Sequence, residues 1–400
     1  MKKNITLIGV NYYPEDSAIG LYSSQWARYL KDQGYKVSVI TAFPYYPHWR
    51  IREDYKNKPT FFNEKIDGVS VFRYKLYVPQ TPTFINRVFH LTDFTIGSLF
   101  NLFKIKKNDL VISVIPFTSS ALLGYLLKKR FNSKLWIHIQ DFEFDAAHQT
   151  GVSQKTNLLF KLLFKLENFL FSKADIASTI SQSMLTKLQH KTKTEQFYFP
   201  NWIDENTINP ASAQQHPYLS SNKNKILYSG NIGDKQDWNI FTTFCKTLNP
   251  EKHEVILVGD GAKRKWVVNQ IKELKNVFYF PPVQHNDLSN LLCSADLHIL
   301  FQKTDVLDTV MPSKVLGMMA SEKPSLIIGN NFSEVKTILE ESQGGYYFTD
   351  FSPKVIEKVE SLFTNKQKAI QTGKKARKFV IEQYSKEKIF NKMICQIEKL

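Results

Sequence analysis

Four hundred residues exceed the size at which one hydrophobic core keeps growing, so two domains are expected. With 42% hydrophobic and 22% charged residues, and Gly and Pro at 16 each, the chain is neither disordered, collagen-like nor low in complexity. A formal net charge of +16 calls for an anionic partner: nucleic acid, an anionic membrane or an anionic small substrate.

The apolar run from Ile5 to Val10 reads as a first strand; it ends at Asn11, short of a signal-peptide core, with Glu15 and Asp16 close behind. Leu21, Trp26, Tyr29 and Leu30 recur at helical spacing, and Gly34 suits the cap that ends such a helix. A second strand spans Val37 to Thr41. Asp67-Gly68, between alternating apolar residues from Glu64 to Arg73, is a two-residue hairpin signal. Strands at Leu110–Ile115, Leu135–Ile139 and Ile176–Thr179, with helical stretches between, complete the pattern of a parallel α/β sheet. The uncharged stretch from Leu110 to Leu127 is broken by Pro116 and by Thr118, Ser119 and Ser120, so it reads as strand, loop and helix, not a membrane span.

Polar residues dominate from Pro200 to Pro217, which reads as a linker. Beyond it, strands at Ile226–Tyr228, Val255–Val258, Val277–Phe280, Leu297–Phe301 and Ser325–Ile328 make a second α/β lobe. Residues from about Lys366 to Leu400 are helical by period and rich in Lys, and no short repeat is present. Cys245, Cys293 and Cys395 lie far apart with no CxxC pair, which argues against a disulfide framework or zinc ribbon and fits a reducing cytoplasm.

Chemistry-bearing residues cluster just past strand ends, where open α/β sheets bind ligands. In the second lobe, Ser229-Gly230-Asn231 with Lys235, and Gly259-Asp260-Gly261, form two glycine loops through which backbone amides can meet a phosphate. A plain tight turn is the competing reading of the first. Neither loop matches GxGxxG, which disfavours nicotinamide and flavin enzymes. Asp308, Val310, Pro312, Ser313 and Lys314 precede an apolar helix; they read either as a capped helix with a solvated Lys or as a cation facing the ligand crevice. In the first lobe, His138, Asp141, Glu143 and Asp145 surround the end of one strand, and His138 reads as either a core residue or a catalyst. No HExxH, Cys/His ligand spacing or GxSxG occurs, so metalloprotease and serine-hydrolase chemistry find no support.

Several runs in order, namely Asn11-Tyr12-Tyr13-Pro14-Glu15 with Gly20, Thr41 to Pro47, Gln140-Asp141-Phe142-Glu143, Phe199 to Asp204, Tyr228-Ser229-Gly230-Asn231, Lys235-Gln236 and Pro312-Ser313-Lys314, resemble bacterial glycosyltransferase family 4. The likeness runs from residue 1 to about residue 385 and is greatest to the colanic-acid and O-antigen branch that transfers fucose or N-acetylfucosamine. It implies an α/β GT-B fold, two Rossmann-like domains facing across a cleft. The expected divisions are 1–205 for acceptor binding, 206–375 for the nucleotide-sugar, and a C-terminal helix at 376–400 packing back on the first domain. Gly20 is similar to the family's glycine loop, Lys235 to its diphosphate lysine, and Asp141 to the Asp that follows a catalytic-site His; Gln140 stands in place of that His, and Asn231 where many members have Arg. Gly317 stands where many relatives carry a second glutamate. Tyr13, Tyr45, Tyr46 and Asp145 are the expected acceptor contacts.

The resemblance further implies a retaining transferase that moves a hexose or 6-deoxyhexose from a GDP- or UDP-sugar to a lipid-linked saccharide. It implies no cofactor and no metal, because amides and cations aimed at the diphosphate suffice to stabilise its leaving charge. A nucleotide-sugar 2-epimerase and a catalytically silent nucleotide-sugar-binding scaffold are the competing functions. Leu162, Leu163, Leu166, Phe169 and Leu170, with Leu158 and Leu159 before them, form a helical stripe flanked by Lys155, Lys161, Lys165 and Lys173. The stripe reads either as the buried face of a core helix or, with its lysines and a second aromatic and basic stretch from Phe84 to Lys107, as peripheral binding to the anionic inner leaflet; no nucleic-acid partner is expected.

Overall fold

Alternation of strand and helix produces two parallel sheets, each with a hydrophobic core of its own. The computed structural model describes residues 2–15, 17–81, 83–142, 157–304 and 314–400. Two compact units result, Met1–Pro200 with Lys392–Leu400, and Asn201–Asn391.

In the first unit the elements are β1 (Asn4–Ile8), α1 (Ala18–Asp32), β2 (Lys36–Ala42), α2 (Glu53–Lys56), β3 (Phe61–Ile66), β4 (Val69–Tyr74), α3 (Phe84–Leu102), β5 (Leu110–Ile115), α4 (Thr118–Phe131), β6 (Lys134–Ile139), α5 (Asn157–Ser172), β7 (Ile176–Thr179), α6 (Gln182–Lys191) and β8 (Glu195–Tyr198). The strands lie in the order β3-β4-β2-β1-β5-β6-β7-β8. Among the described strands of this sheet only β3 is antiparallel, paired to β4 through the Asp67-Gly68 turn, in which both residues have positive φ. The predominantly apolar sequences of β1 and β5, each with one buried hydroxyl residue (Thr6, Ser113), match burial on both faces, whereas edge strand β3 alternates.

The second unit contains β9 (Asn224–Ser229), α7 (Trp238–Thr247), β10 (His253–Val258), α8 (Arg264–Ile271), β11 (Val277–Phe280), α9 (Leu288–Cys293), β12 (Leu297–Phe301), α10 (Lys314–Ala320), β13 (Ser325–Ile328), α11 (Glu334–Ser342), β14 (Gly345–Phe348), α12 (Pro353–Thr364) and α13 (Lys366–Tyr384); α14 (Lys386–Lys399) ends the chain. Its sheet, β11-β10-β9-β12-β13-β14, is parallel throughout. In each sheet the strand order reverses beside the first strand, between β1 and β5 and between β9 and β12. Those reversals are the places where doubly wound sheets bind ligands.

The unit boundaries differ from the expected 205/206 and 375/376. Asn201–Ile203 already belongs to the second unit, where Trp202 meets Phe390 at 4.5 Å and Ile203 bridges Ser385. The α13 helix packs on α10, α11 and α12, so only the chain from Lys392 onward returns to the first unit.

Candidate active site

The loop after β1 is tied to the loop after β2 by one buried carboxylate. Glu15 accepts the backbone N–H groups of Tyr45 (2.7 Å) and Tyr46 (2.9 Å) and the side-chain amide of Asn11 (2.6 Å). Burial raises its pKa against the lowering effect of those hydrogen bonds. Buried Arg73 of β4 donates to the carbonyls of Ala42 (2.9 Å) and Tyr13 and pairs with Glu64, fixing both loops from below. Tyr13 and Tyr46 are thereby presented exposed on a rigid base. Tyr45, expected to touch an acceptor, is instead buried, with its ring 4.8 Å from His90 and 5.6 Å from Trp49. Gly20 lies in the first turn of α1 rather than in a loop, and a Cβ there would stand 3.0 Å from both the Glu15 carbonyl and the Ser17 hydroxyl. The glycine therefore lets the loop after β1 close onto the helix.

At the end of β6, His138 is 1% exposed and packs edge-on against Trp26 and Phe199. Its Nδ1 is 2.8 Å from Ser178 Oγ, which also accepts the Trp136 indole N–H at 2.7 Å. Its Nε2 is 2.9 Å from the Gln140 amide nitrogen. An amide nitrogen only donates, so Nε2 accepts and the ring proton sits on Nδ1. Burial pushes the imidazole down to about 3, so it is neutral across physiological pH. This corrects the catalytic reading of His138: enclosed on both nitrogens, the ring holds Gln140 at the strand end, directly before Asp141. Glu143 and Asp145 lie outside the described residues.

The second unit gathers three loops at its strand reversal. Gly230 donates to the Val258 carbonyl (2.9 Å) and Ile232 to the Asp260 carbonyl (2.8 Å), so the loops after β9 and β10 are zipped together. Gly259 has φ of +155°, and a Cβ there would fall 1.9 Å from the Gly230 carbonyl oxygen; only glycine fits. The loop after β12 joins them through the Lys303 N–H, which donates to the Lys235 carbonyl at 3.1 Å. Asp260 is engaged by Arg264 at 3.1 Å and Asp234 by Lys263 at 3.0 Å.

Lys314, the first residue of α10, closes this cradle. Its ammonium donates to Tyr228 Oη at 3.0 Å and lies 4.7 Å from that ring's centroid, while the Tyr228 hydroxyl donates to the Asn231 carbonyl at 2.7 Å. A Cβ on Gly230 would stand 3.3 Å from Lys314 Nζ, so the amine sits directly against the first glycine loop. Burial lowers its pKa to about 7. Lys235 is exposed on the same edge. The N–H groups of Gly230, Ile232, Gly259 and Gly261 are engaged within the protein, so in this cradle it is the Lys314 amine, set against the glycine backbone, that has the chemistry to pair with a phosphate-bearing ligand. Asp308, Val310, Pro312 and Ser313 lie outside the described residues.

Gln140, Glu15 and Arg73 were not singled out by the sequence as site residues. Gln140 carried one usable signal, its place where the resembled family has a histidine. Partners thirty or more positions away in the chain carry none.

Residues 212–379 match the family described as Glycosyl transferases group 1. The Escherichia coli (strain K12) protein WcaI, named as a glycosyl transferase of colanic acid biosynthesis, is 31% identical over 354 residues, covering 85% of this chain and 86% of that protein. Among solved structures, sucrose-phosphate synthase of Thermosynechococcus elongatus superposes with a TM-score of 0.73 at 13% identity, covering 100% of this chain and 99% of that one. Anabaena Alr3699/HepE in complex with UDP-glucose gives 0.70 at 13% identity and covers 100% of both chains. At such identity the likeness is one of fold, and the fold is GT-B.

Proposed function

The chain belongs to the group 1 glycosyl transferases, within bacterial family 4, and on that premise we propose that it transfers a hexose or 6-deoxyhexose, of fucose or N-acetylfucosamine type, from a GDP- or UDP-sugar to a lipid-linked saccharide. The product is a surface polysaccharide, a role supported by the likeness to a colanic acid enzyme. The enzyme acts peripherally, at the inner face of the cytoplasmic membrane; no helix among the described residues is long and apolar enough to cross one.

The observation that carries this reading is the cradle of Gly230, Gly259 and Gly261 closed by Lys314 at the β9/β12 reversal. In the reaction the bond between the anomeric carbon and the donor diphosphate breaks, its electron pair leaves with the diphosphate, and a bond forms to the acceptor hydroxyl oxygen, whose proton passes to the departing diphosphate. Lys314 and Lys235 take up the negative charge that develops on the leaving oxygen. That charge compensation needs no metal or cofactor, and the sugar keeps its anomeric configuration. Asp141 or Glu143 contacts the acceptor hydroxyl or the transferred sugar, and the exposed Tyr13 and Tyr46 meet the acceptor.

The test is a screen of UDP- and GDP-sugars with a polyprenyl-diphosphate-linked acceptor, read by mass spectrometry. One donor should add the mass of a single sugar. Donor binding with no transfer from any donor would instead identify a silent binding subunit.

A further inference from the structure

Helices α3, α4 and α5 of the first unit lie side by side, α3 against α4 and α4 against α5. A helix on a sheet turns its apolar stripe inward; these helices carry a second stripe facing out. On α3, Phe89 (61% exposed), Ile96, Phe100 and, just past the helix end, Phe103 (73%) follow one face. On α5, Leu162 (64%), Leu166 and Phe169 do the same, while Leu170 and Phe171 are buried in the core. Helix α4 joins the two stripes, with the Arg130 guanidinium 5.4 Å from the Phe103 ring, Leu126 exposed, and Tyr125 meeting Phe169 at 6.0 Å.

Apart from Asp93, half-buried on the flank of the α3 stripe, the charges on this surface are positive. Lys161 and Lys165 are exposed on α5, Lys173 sits 4.9 Å from the Phe169 ring, and Lys129 lies 5.8 Å from Tyr125. The sequence of α4 has no carboxylate. The one in α3, Asp93, accepts from Tyr74 (2.9 Å) and the Tyr77 N–H (2.6 Å), and the one in α5, Glu167, is buried against Lys191 at 2.6 Å.

Exposed apolar residues on soluble proteins are usually scattered singly; a continuous stripe fringed by cations needs a partner that is apolar inside and anionic at the rim. A second copy of this chain would set +16 against +16 and bring the same carboxylate-poor face. Nucleic acid supplies the anions without an apolar bed for Phe103 or Leu162. A bilayer with anionic headgroups supplies both.

We propose that the α3–α4–α5 face seats the first unit on an anionic lipid bilayer; this names the partner surface of the lipid-linked reaction proposed above and rests on that reading. The test is co-sedimentation at low salt with vesicles of phosphatidylcholine alone or mixed with phosphatidylglycerol. It uses the full chain, Lys161→Gln with Lys165→Gln, and Phe100→Ser with Phe103→Ser, each checked for fold by thermal melting. The wild type should bind the mixed vesicles and release with salt. The Lys pair should bind ~30-fold more weakly, two charges at about 1 kcal/mol each, and the Phe pair at least ~10-fold more weakly. Unchanged binding by both variants, wild-type binding indifferent to lipid charge, no wild-type binding, or a solution dimer abolished by the Phe pair overturns the proposal. Sugar transfer to a short-chain, water-soluble acceptor analogue is read in parallel and should be unchanged in both variants. Transfer without vesicle binding removes the docking face alone, whereas vesicle binding without transfer supports the docking face and removes the enzymatic reading.

Discussion

Raising the pH above neutrality should weaken nucleotide-sugar binding, because Lys314 must take up a proton before it can pair with a diphosphate. Burial against Tyr228 holds its pKa at about 7 in the free protein, and an adjacent diphosphate restores the charged form. At pH 7.5 a group with that pKa is roughly three-quarters deprotonated, and at pH 8.5 almost wholly so, so binding should take up about 0.8 and about 1 proton respectively. Affinity should then fall about tenfold for each further pH unit. Isothermal titration calorimetry in buffers of different ionisation enthalpy counts those protons directly. An intact UDP- or GDP-sugar is the right probe, since its diphosphate diester does not titrate in this range.

Lys314→Arg keeps a permanent charge at the position and should flatten the pH dependence, while Lys314→Met should weaken binding and abolish proton uptake. The same shift acts on stability. Its pKa is lower in the folded protein, about 7 against 10.5, so between those values the unfolded chain binds the proton more tightly. The contribution of Lys314 to stability therefore rises with pH across that window, and Lys314→Met should remove the slope. Wild-type affinity that stays flat from pH 6.5 to 9, with no proton taken up, would refute the placement of the diphosphate against this amine.

Lys235→Ala should lower turnover by ~10² or more if the ammonium meets charge that develops in the transition state; a rate within a few-fold of wild type removes that role. Asp141→Asn should fold normally and lose most transfer, and a variant fully active at every pH leaves Asp141 as loop support only. His138→Leu should lower kcat by releasing Gln140, yet leave the pH profile between 5 and 8 unchanged, because the ring titrates at about 3; an acidic limb that vanishes in this variant would show that His138 ionises in catalysis after all.

Which features could be read from the sequence depended on how far apart in the chain their causes lie. Leu110–Ile115, Val277–Phe280 and Ser325–Ile328 are strands over the residues expected, because an apolar run bounded by turn residues is a local signal. Edge strands Glu195–Tyr198 and Gly345–Phe348 lack that signal: both are mostly half-buried, and their pairing is imposed by β7 and β13. The glycine loops were legible because positive φ restricts the residue type locally. The choice between core residue and catalyst at His138 was not legible for the opposite reason. Its neighbours Asp141 and Glu143 are local and suggested catalysis, but its environment is made by Ser178 of β7, Trp26 of α1 and Phe199 after β8, which come together only when the sheet forms. Glu15 is likewise remote in the chain from Tyr45 and Tyr46, by 30 and 31 residues. Sequence motifs thus located the strand-end loops where chemistry is placed, while the side chains that rigidify those loops come from other strands and are identified only by packing. Substitutions at Glu15, Arg73 or Ser178 should accordingly act on the site through loop geometry, and their effects should be non-additive with those at Tyr46 and Gln140.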